Sequence, residues 1–175
     1  MSIILAKKTE CSAIIQLLKR CAIDLEKQHI FQWNEAYPSL EVIKKDIHLK
    51  QLHLLKNGSK IIGSIVLSEI KDTVYNSVTW KNDTHKALYI HRLAIDPEEQ
   101  QKGYAQQLMA FAENYARTQH YETIRLDTFS QNKRNQRFYS QRGYQHMGDI
   151  YLPTQSMSPF YCFEKLIIST SNTIS

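Results

Sequence analysis

The sequence predicts a single α/β domain in which one mixed β-sheet of about seven strands is flanked on both faces by about four helices. Three observations lead to this fold class. The chain has 175 residues, the length of one domain. Hydrophobic residues make up 42% and charged residues 22%, an ordinary globular composition. Segments with strand and helix periodicity follow one another in the order β-α-α-β-β-β-α-β-α-β-β. We therefore predict one domain over residues 1–168 and a frayed polar tail over 169–175.

The N-terminal half begins with a short strand over residues 3–5. Thr9 can cap a first helix, in which apolar residues recur at helical spacing and form one buried stripe. Ser39 can cap a second helix of the same kind. Two strand-like runs then flank Asn57-Gly58, a dipeptide that tolerates positive φ at both positions and predicts a hairpin.

The C-terminal half alternates strands with helices. The polar stretch over 71–86 is predicted to be strand ends joined by a loop. The remaining predicted elements are strands over 87–95, 123–129, 144–152 and 160–168, a helix with the apolar stripe Leu108 to Ala116, and a short helix over 133–141. The unit over 87–129 predicts a parallel strand–helix–strand crossover.

Charge and cysteine content exclude several classes of protein. Lys and Arg outnumber Asp and Glu by 22 to 17, and the resulting net charge of +5 favours an anionic partner. No run of about 18 apolar residues exists and the N-terminus lacks a signal sequence, so we predict no membrane partner. Cys11, Cys21 and Cys162 lie too far apart for a metal site, which predicts no metal and a cytoplasmic location.

The segment from Asp96 to Ala105 is the main candidate for a binding site. It joins a buried strand to an amphipathic helix, and Gly103 would let the backbone come close to a ligand. The free N–H groups and the dipole at a helix start favour phosphate or pyrophosphate, and Lys102 adds a cation. A lone glycine here is otherwise explained as the residue that eases a turn. The segment is neither a Walker loop nor a G-x-G-x-x-G fingerprint.

Two motifs at fixed spacing resemble the GNAT superfamily of acyl-CoA-dependent N-acetyltransferases. Gln100, Gly103 and Ala105 match the family signature Gln/Arg-x-x-Gly-x-Gly/Ala, which follows a strand. After the next strand, the family's Asn…(Phe/Leu)-Tyr…Gly-(Phe/Tyr) element is matched at Asn132, Phe138, Tyr139, Gly143 and Tyr144. The resemblance implies a GNAT-like sheet and a reaction in which acetyl-CoA acetylates a primary amine of a small molecule or peptide by direct attack in a ternary complex.

The resemblance also implies how coenzyme A is bound. In the family, the strand before the signature has a bulge and splays from its parallel neighbour, and its main chain pairs with pantetheine. Here that main chain belongs to Leu93, Ala94 and Ile95. The residues expected around the pyrophosphate are Gln100, Gln101, Lys102, Gly103, Tyr104 and Ala105. Asn132 resembles the asparagine that bonds the pantetheine arm, and Asn135 and Tyr139 are further expected contacts.

Acetyl transfer needs a neutral amine, an aligned carbonyl and a proton for the leaving thiolate. By the resemblance, Tyr139 is the general acid, since a phenol with a pKa of about 10 can protonate sulfur without prior ionisation. A backbone N–H, that of Leu93, would polarise the carbonyl. The base stays open among Asp127, His91 on the strand face of Leu93, and a water chain.

The acceptor site of the family is usually formed by the first two helices, their connecting loop and the last strands. Trp33 and Tyr37 are therefore candidate contacts, because aromatic rings can stack on a substrate that carries an amine. Tyr89 shares the strand face of His91 and is a further candidate for substrate binding. Trp33 and Tyr37 could equally cap the core.

Two other functions stay open at this point. A non-catalytic acyl-CoA sensor of the same fold would bind the cofactor without turnover. A basic RNA-binding domain would need an aromatic strand pattern that this chain lacks, so we predict no nucleic-acid partner. We expect a monomer or a homodimer.

Overall fold

A computed structural model of the chain describes residues 1–167, and the predicted tail over 169–175 lies outside them. The strands are β1 (Ser2–Leu5), β2 (Leu52–Asn57), β3 (Lys60–Ser68), β4 (Ala87–Ile95), β5 (Thr123–Phe129), β6 (Gln145–Ile150) and β7 (Phe160–Leu166). The helices are α1 (Cys11–Lys27), α2 (Leu40–His48), α3 (Tyr104–Thr118) and α4 (Lys133–Gln141). The predicted element order and fold class are confirmed.

All seven strands form one sheet in the order β1-β2-β3-β4-β5-β7-β6. Every neighbouring pair is antiparallel except β4 and β5, which are parallel and joined through α3. Strand alternation puts Leu54 and Leu55 on opposite faces. Leu54 packs in a core cluster with α1 and α2, whereas Leu55 packs in a second cluster with α3 and α4. Helices therefore cover both faces, as predicted.

The parallel pair β4–β5 parts along its length. The two strands pair from Ala87 to Ile90, and the last register partner of Ile90 is Leu126. From His91 to Ile95, β4 has no strand partner on its β5 side within the described chain. The main chain of β4 therefore faces open space where two hydrogen-bonded strands would otherwise continue.

Strand β4 also carries a bulge at the place where the strands part. The register between β3 and β4 shifts between Ser64 and Val66, so that the single residue Ile65 lies opposite Arg92 and Leu93. Arg92 has a φ of 48°, a left-handed conformation that bends the strand away from its neighbour. The bulge and the parting that the family resemblance implied are both present.

Gly63 of β3 allows the bulged part of β4 to come close. A Cβ atom on Gly63 would lie 2.6 Å from the carbonyl oxygen of Ala94 and 2.6 Å from Cδ1 of Ile95. Nonbonded atoms do not approach so closely, so a side chain here would displace β4. The missing side chain of Gly63 thus sets the position of the unpaired strand.

The two N-terminal helices begin differently. The hydroxyl of Ser39 accepts a hydrogen bond from the N–H of Val42 at 3.3 Å, which confirms the predicted cap of α2. The predicted Thr9 cap is wrong. A 3₁₀ turn over Lys8–Glu10 precedes α1, and Glu10 occupies its cap position.

The polar stretch over 71–86 contains a 3₁₀ helix, Thr73–Ser77, where strand ends were predicted. The side chain of Asp72 caps this helix by accepting from the N–H of Val74 at 3.2 Å. Local capping satisfies the backbone donors here without a neighbouring strand. The helix places Tyr75 in the interior, where the residue is 1% exposed.

A buried ion pair ties β5 to β7. The Nε atom of Arg125 donates to Glu164 at 2.9 Å, and the two side chains are only 3% and 1% exposed. Glu164 also accepts from the N–H of Lys81 at 2.7 Å and from the hydroxyl of Thr123 at 3.0 Å. The guanidinium of Arg125 lies 4.6 Å from the centre of the Trp80 ring. These contacts fix the segment before β4 against the sheet.

None of the four α-helices in the described part of the chain combines the length and the hydrophobicity that crossing a bilayer requires. Residues 1–167 also contain no group of three His, Cys, Asp or Glu side chains placed to hold a metal ion.

Candidate active site

Two cavities open side by side along β4. The first, which we call the strand cavity, has a volume of about 260 Å³ and runs from the unpaired part of β4 to the start of α3. The second, which we call the inner cavity, has a volume of about 600 Å³ and lies between α2, β4, β5 and the 3₁₀ helix Thr73–Ser77. Both are lined by Gln32, Trp33, Leu93 and Asn135. A ligand in one cavity would therefore meet a ligand in the other beside Leu93.

The loop between β4 and α3 presents backbone donors to the strand cavity. Gln101 has a φ of 63° and Gly103 a φ of 81°, so the chain turns twice through the left-handed region. Within residues 1–167, no hydrogen bond from the N–H groups of Gln101, Lys102 or Gly103 occurs. The first N–H groups of α3, from Tyr104 and Ala105, are also free of helical partners. Such a turn before a helix start is suited to binding a phosphate anion.

A carboxylate beside this loop is neutralised by two lysines. Glu99 accepts from Lys102 at 2.8 Å and from Lys60 at 2.7 Å. Hydrogen bonds from Lys102 and Lys60 lower the pKa of Glu99 to about 2. The side chain of Lys102 is therefore used by Glu99 and does not line the strand cavity, although its N–H group belongs to the loop.

Gln100, a residue of the family signature, contacts Ile95 at the end of β4. The Ile95 carbonyl accepts from the thiol of Cys21 at 3.3 Å and from the amide of Gln100 at 3.4 Å. The Gln100 side chain in turn accepts from Arg134 at 3.1 Å. Leu93 and Ala94 therefore supply the β4 main chain that is free to pair with a ligand in the strand cavity.

The two asparagines at the start of α4 have different surroundings. Asn132 is fully buried, caps α4 by accepting from the N–H of Asn135 at 3.1 Å, and donates to Gln32 at 3.2 Å. It lines neither cavity, whereas Asn135 lines both. The geometry thus favours Asn135 over Asn132 as a direct ligand contact, and Asn132 orients the helix that carries it.

Tyr139 lies on α4 in the wall of the inner cavity and is 5% exposed. Its ring packs against the rings of Phe138, Tyr144 and Phe163, with centres 5.3, 5.9 and 6.1 Å apart. Burial, and secondarily the charge of Asp127, raise the pKa of Tyr139. The phenol is therefore kept in its neutral, proton-bearing form.

Asp127 projects from β5 into the inner cavity. One carboxylate oxygen, Oδ1, accepts a hydrogen bond from the hydroxyl of Tyr75. In the part of the chain that the structure describes, the other oxygen has no hydrogen-bond partner and the carboxylate has no ion pair. Burial raises the pKa of Asp127, while the Tyr75 hydrogen bond and the charge of Arg92 act in the opposite direction.

His91 forms part of the same cavity wall, where its ring is nearly parallel to that of Tyr75 at 6.4 Å between centres. Burial, and then the charge of Arg92, lower the pKa of His91 from 6.5 to about 3. The imidazole is therefore neutral near pH 7, and it binds a proton only weakly. The bulge also breaks the predicted alternation, because the consecutive residues His91, Arg92 and Leu93 all line the cavity.

The low pKa of His91 predicts a change in acid stability. Between pH 6.5 and 3 the unfolded chain takes up a proton at His91 that the folded protein does not, so the free energy of unfolding falls as the pH falls. We expect the free energy of unfolding of His91→Asn to fall by about 1–2 kcal/mol less than that of the parent protein between pH 7 and pH 5. Urea unfolding at both pH values measures this difference. The exposed His85→Asn is the control, and an identical loss in all three proteins would contradict the prediction.

Arg92 joins the bulge to the loop after α1 and to α2. It donates to the hydroxyl of Tyr37 at 2.8 Å and lies 2.7 Å from Asp46, whose side chain is 6% exposed. The positive charge of Arg92 is thus balanced by Asp46. The buried pair holds the wall of the inner cavity in place.

The predicted acceptor residues are only partly brought together. Trp33 and Tyr37 line the inner cavity. Tyr89 does not, because its ring is stacked beneath Tyr75 at 5.6 Å and its hydroxyl accepts from Arg125 at 3.2 Å.

Sequence reasoning missed three residues of this wall: Asp46, Tyr75 and Arg92. One signal was available for Asp46, since a carboxylate lies on the apolar stripe of α2 between Ile43 and Ile47. Nothing in the polar stretch over 71–86 singled out Tyr75.

Comparison with known proteins agrees with this geometry. Residues 13–144 match the acetyltransferase (GNAT) family. An acetyltransferase of the GNAT family from Streptococcus agalactiae superposes with a TM-score of 0.82 at 24% identity, covering 94% of both chains. A candidate acetyltransferase from Staphylococcus aureus Mu50 has a TM-score of 0.74 at 27% identity and covers 96% of this chain and 100% of its own.

A further structure, that of yncA from Salmonella typhimurium with its cofactor acetyl-CoA, superposes with a TM-score of 0.71 at 14% identity, covering 98% of this chain and 96% of its own. Among curated proteins, none matches the chain. Together with the parted strands and the donor-rich loop, the family match identifies the chain as a member of the GNAT acetyltransferase family.

Proposed function

We propose that this protein is an N-acetyltransferase that uses acetyl-CoA to acetylate a primary amine of a small molecule or peptide in a ternary complex. The observation that carries the proposal is the junction of the two cavities at Leu93. When bound, acetyl-CoA supplies an acetyl group activated as a thioester. The three cysteines are free thiols, which supports a reducing cytoplasm as the place of the reaction.

The residues of the strand cavity fit an extended arm that ends in phosphates. The unpaired main chain at Leu93 and Ala94 can pair with amide groups as a further strand would. The free N–H groups of Gln101, Lys102 and Gly103 and the start of α3 can bind a pyrophosphate. Asn135 lies where the two cavities meet and can contact the inner end of the arm.

Three groups that line the inner cavity can act on the reacting atoms. The N–H of Leu93 can polarise the thioester carbonyl, because the strand is fixed before the substrate arrives. The neutral phenol of Tyr139 can give a proton to the leaving sulfur. Asp127 can accept the proton of the amine, directly or through a water molecule. His91 is a poorer base, because an imidazole with a pKa of about 3 holds a proton too weakly near pH 7.

The proposal is tested by incubating the protein with acetyl-CoA and a panel of primary amines. Release of free thiol and a gain of one acetyl mass on an amine are the expected results. Saturable binding of acetyl-CoA without thiol release from any amine would contradict catalysis and leave the sensor function.

Tyr139→Phe removes the proposed acid and keeps the packing of the ring. We expect kcat to fall at least tenfold, since general acid catalysis contributes about 10²–10⁴-fold. Affinity for acetyl-CoA should stay within about twofold, because the variant retains every main-chain donor of the loop.

Steady-state kinetics on the best amine of the panel measure kcat, and isothermal titration calorimetry measures the affinity for acetyl-CoA. Tyr121→Phe, which removes a phenol outside both cavities, is the control. A kcat within about twofold of the parent, or about 0.4 kcal/mol in barrier, would show that Tyr139 is not the acid.

A further inference from the structure

We propose that Tyr75 is a positioning residue that holds Asp127 for the ammonium group of the acceptor, and that the acceptor is a primary amine on an apolar or aromatic body without a neighbouring carboxylate. This inference rests on the proposed function. It adds a residue from the 3₁₀ helix Thr73–Ser77 to the acceptor site and restricts the class of amine.

Asp127 is the unbalanced charge of the inner cavity. Three aspartates line this cavity. Asp46 is paired with Arg92 at 2.7 Å, and Asp72 lies at the exposed rim, where it caps the 3₁₀ helix. Asp127 has no cation within 4.0 Å in the described residues. Asp127 is half-buried. A carboxylate that is partly removed from water without a cationic partner costs free energy, and a cationic ligand relieves that cost.

Tyr75 fixes the orientation of this carboxylate. Its ring is stacked on Tyr89 with 10° between the planes, and the Trp80 ring packs perpendicular to it at 5.8 Å between centres. Trp80 also donates to the Tyr75 carbonyl at 3.4 Å. The Tyr75 ring is thus held between two neighbouring rings, and its hydroxyl donates to Oδ1 of Asp127. Because Oδ1 is occupied, Oδ2 is the oxygen left for the acceptor.

The walls around Asp127 suit a cation on an apolar body. The rings of Trp33, Tyr37, Tyr75, Phe129, Tyr139 and Phe160 line the inner cavity. Aromatic faces attract ammonium groups and also accept apolar groups.

An α-carboxylate on the acceptor would lie beside Asp127, because it is attached to the carbon that carries the amine. Two carboxylates so close repel each other. Arg92 would not compensate, since Asp46 already balances its charge and its two terminal nitrogens donate to Tyr37 and Asp46; in the described residues only its buried Nε has no partner. The lysines of the cavity, Lys45 and Lys71, are exposed at the rim.

Other titratable groups close to Asp127 come from each neighbouring element. They are Tyr75 and Asp72 of the 3₁₀ segment, Arg92 and His91 of β4, Tyr37 of the loop before α2, Tyr139 of α4 and Cys162 of β7. Burial raises the pKa of Tyr75, of Tyr37, of Tyr139 and of Cys162, so these groups stay neutral near pH 7. Loss of the Tyr75 hydrogen bond should therefore act mainly on Asp127.

The amine class is tested with three probes that share one aromatic body: phenethylamine, phenylalaninamide and phenylalanine. We expect kcat/KM for the first two to exceed that for phenylalanine at least tenfold. Saturation-transfer NMR of the same probes with the CoA-bound protein measures binding without turnover. Equal or better use of phenylalanine would overturn the proposed class, as would absence of phenethylamine binding at millimolar concentration.

Tyr75→Phe tests the positioning role, with Tyr115→Phe on α3 as the control outside both cavities. We expect KM for phenethylamine to rise at least fivefold and the acidic limb of kcat/KM to move to higher pH, because Asp127 loses a donor to its charged form. The kcat at the high-pH plateau should stay within about twofold. An unchanged KM and pH profile would overturn the role of Tyr75.

A second variant, Asp127→Asn, removes the charge and retains an oxygen that Tyr75 can bond. Binding of phenethylamine by NMR should weaken at least tenfold, and phenylalanine should no longer be disfavoured. If Asp127→Asn still preferred phenethylamine to phenylalanine, the inference would be overturned. If some other amine is acetylated while these probes follow neither pattern, the inference fails and the proposed function stands. If no amine of the wider panel releases thiol, the proposed function fails first.

Discussion

Gly103→Glu is expected to weaken acetyl-CoA binding at least about 100-fold, or about 2.8 kcal/mol, while the fold is retained. A Cβ atom on Gly103 would lie 3.5 Å from its nearest neighbour, the side-chain oxygen of Gln106, so the loop has room for it. The new carboxylate, however, would stand among the N–H donors proposed to bind the pyrophosphate, where like charges repel. Isothermal titration calorimetry with acetyl-CoA measures the loss.

Gly58→Glu is the matched control for this variant. Gly58 has a φ of 58°, so both substitutions place a side chain in the left-handed region, which costs about 1–2 kcal/mol of stability in each. No atom lies within 4 Å of a Cβ on Gly58, in the turn between β2 and β3. Its acetyl-CoA affinity should equal that of the parent. Undiminished affinity in Gly103→Glu would refute the proposed phosphate site.

Arg125→Met should lower the free energy of unfolding by about 3–5 kcal/mol, because it leaves the buried carboxylate of Glu164 without its cation. The side chain of Glu164 is 1% exposed, so water cannot replace the lost guanidinium. Urea unfolding followed by circular dichroism measures this loss.

Arg142→Met provides the comparison on α4's C-terminal side. Arg142 pairs with Glu113 at 3.0 Å, but the two side chains are 19% and 10% exposed, and Lys165 also contacts Glu113 at 3.1 Å. We expect a loss of about 1 kcal/mol or less. If Arg125→Met were as mild as this variant, the buried pair of β5 and β7 would not stabilise the fold as described.

Local patterns account for most of the fold. The hairpin at Asn57-Gly58, the cap at Ser39 and the bounds of β4 and β5 follow from residues next to each other in the chain. The predictions of a Thr9 cap and of strand ends over 71–86 were wrong for the same reason. Short 3₁₀ turns satisfy their donors with a nearby side chain or carbonyl, and so they need no periodic apolar pattern that the sequence could reveal.

The residues of the candidate site were likewise predictable only where a local pattern marks them. The donor-rich loop between β4 and α3 and the position of Tyr139 in the cavity wall could be predicted because both belong to contiguous motifs. The partners of Arg92 and Asp127 could not, because Asp46 and Tyr75 reach them across 46 and 52 positions of the chain. The prediction that alternate residues of β4 face the cavity was also wrong at Arg92, because a bulge inserts one residue and so changes which side chains face the cavity.

The interruption between β4 and β5 places an edge strand in the middle of the molecule. Exposed edges of sheets recruit strands from other chains and so promote aggregation. Here the open segment, Leu93 and Ala94, lies at the bottom of a cleft only about 260 Å³ in volume, bordered by Trp33 and Phe138. Such a cleft can hold one narrow, extended ligand, but it is too small for a strand of another β-sheet. The protein can thus leave hydrogen-bonding groups unsatisfied for a small molecule without offering them to another protein.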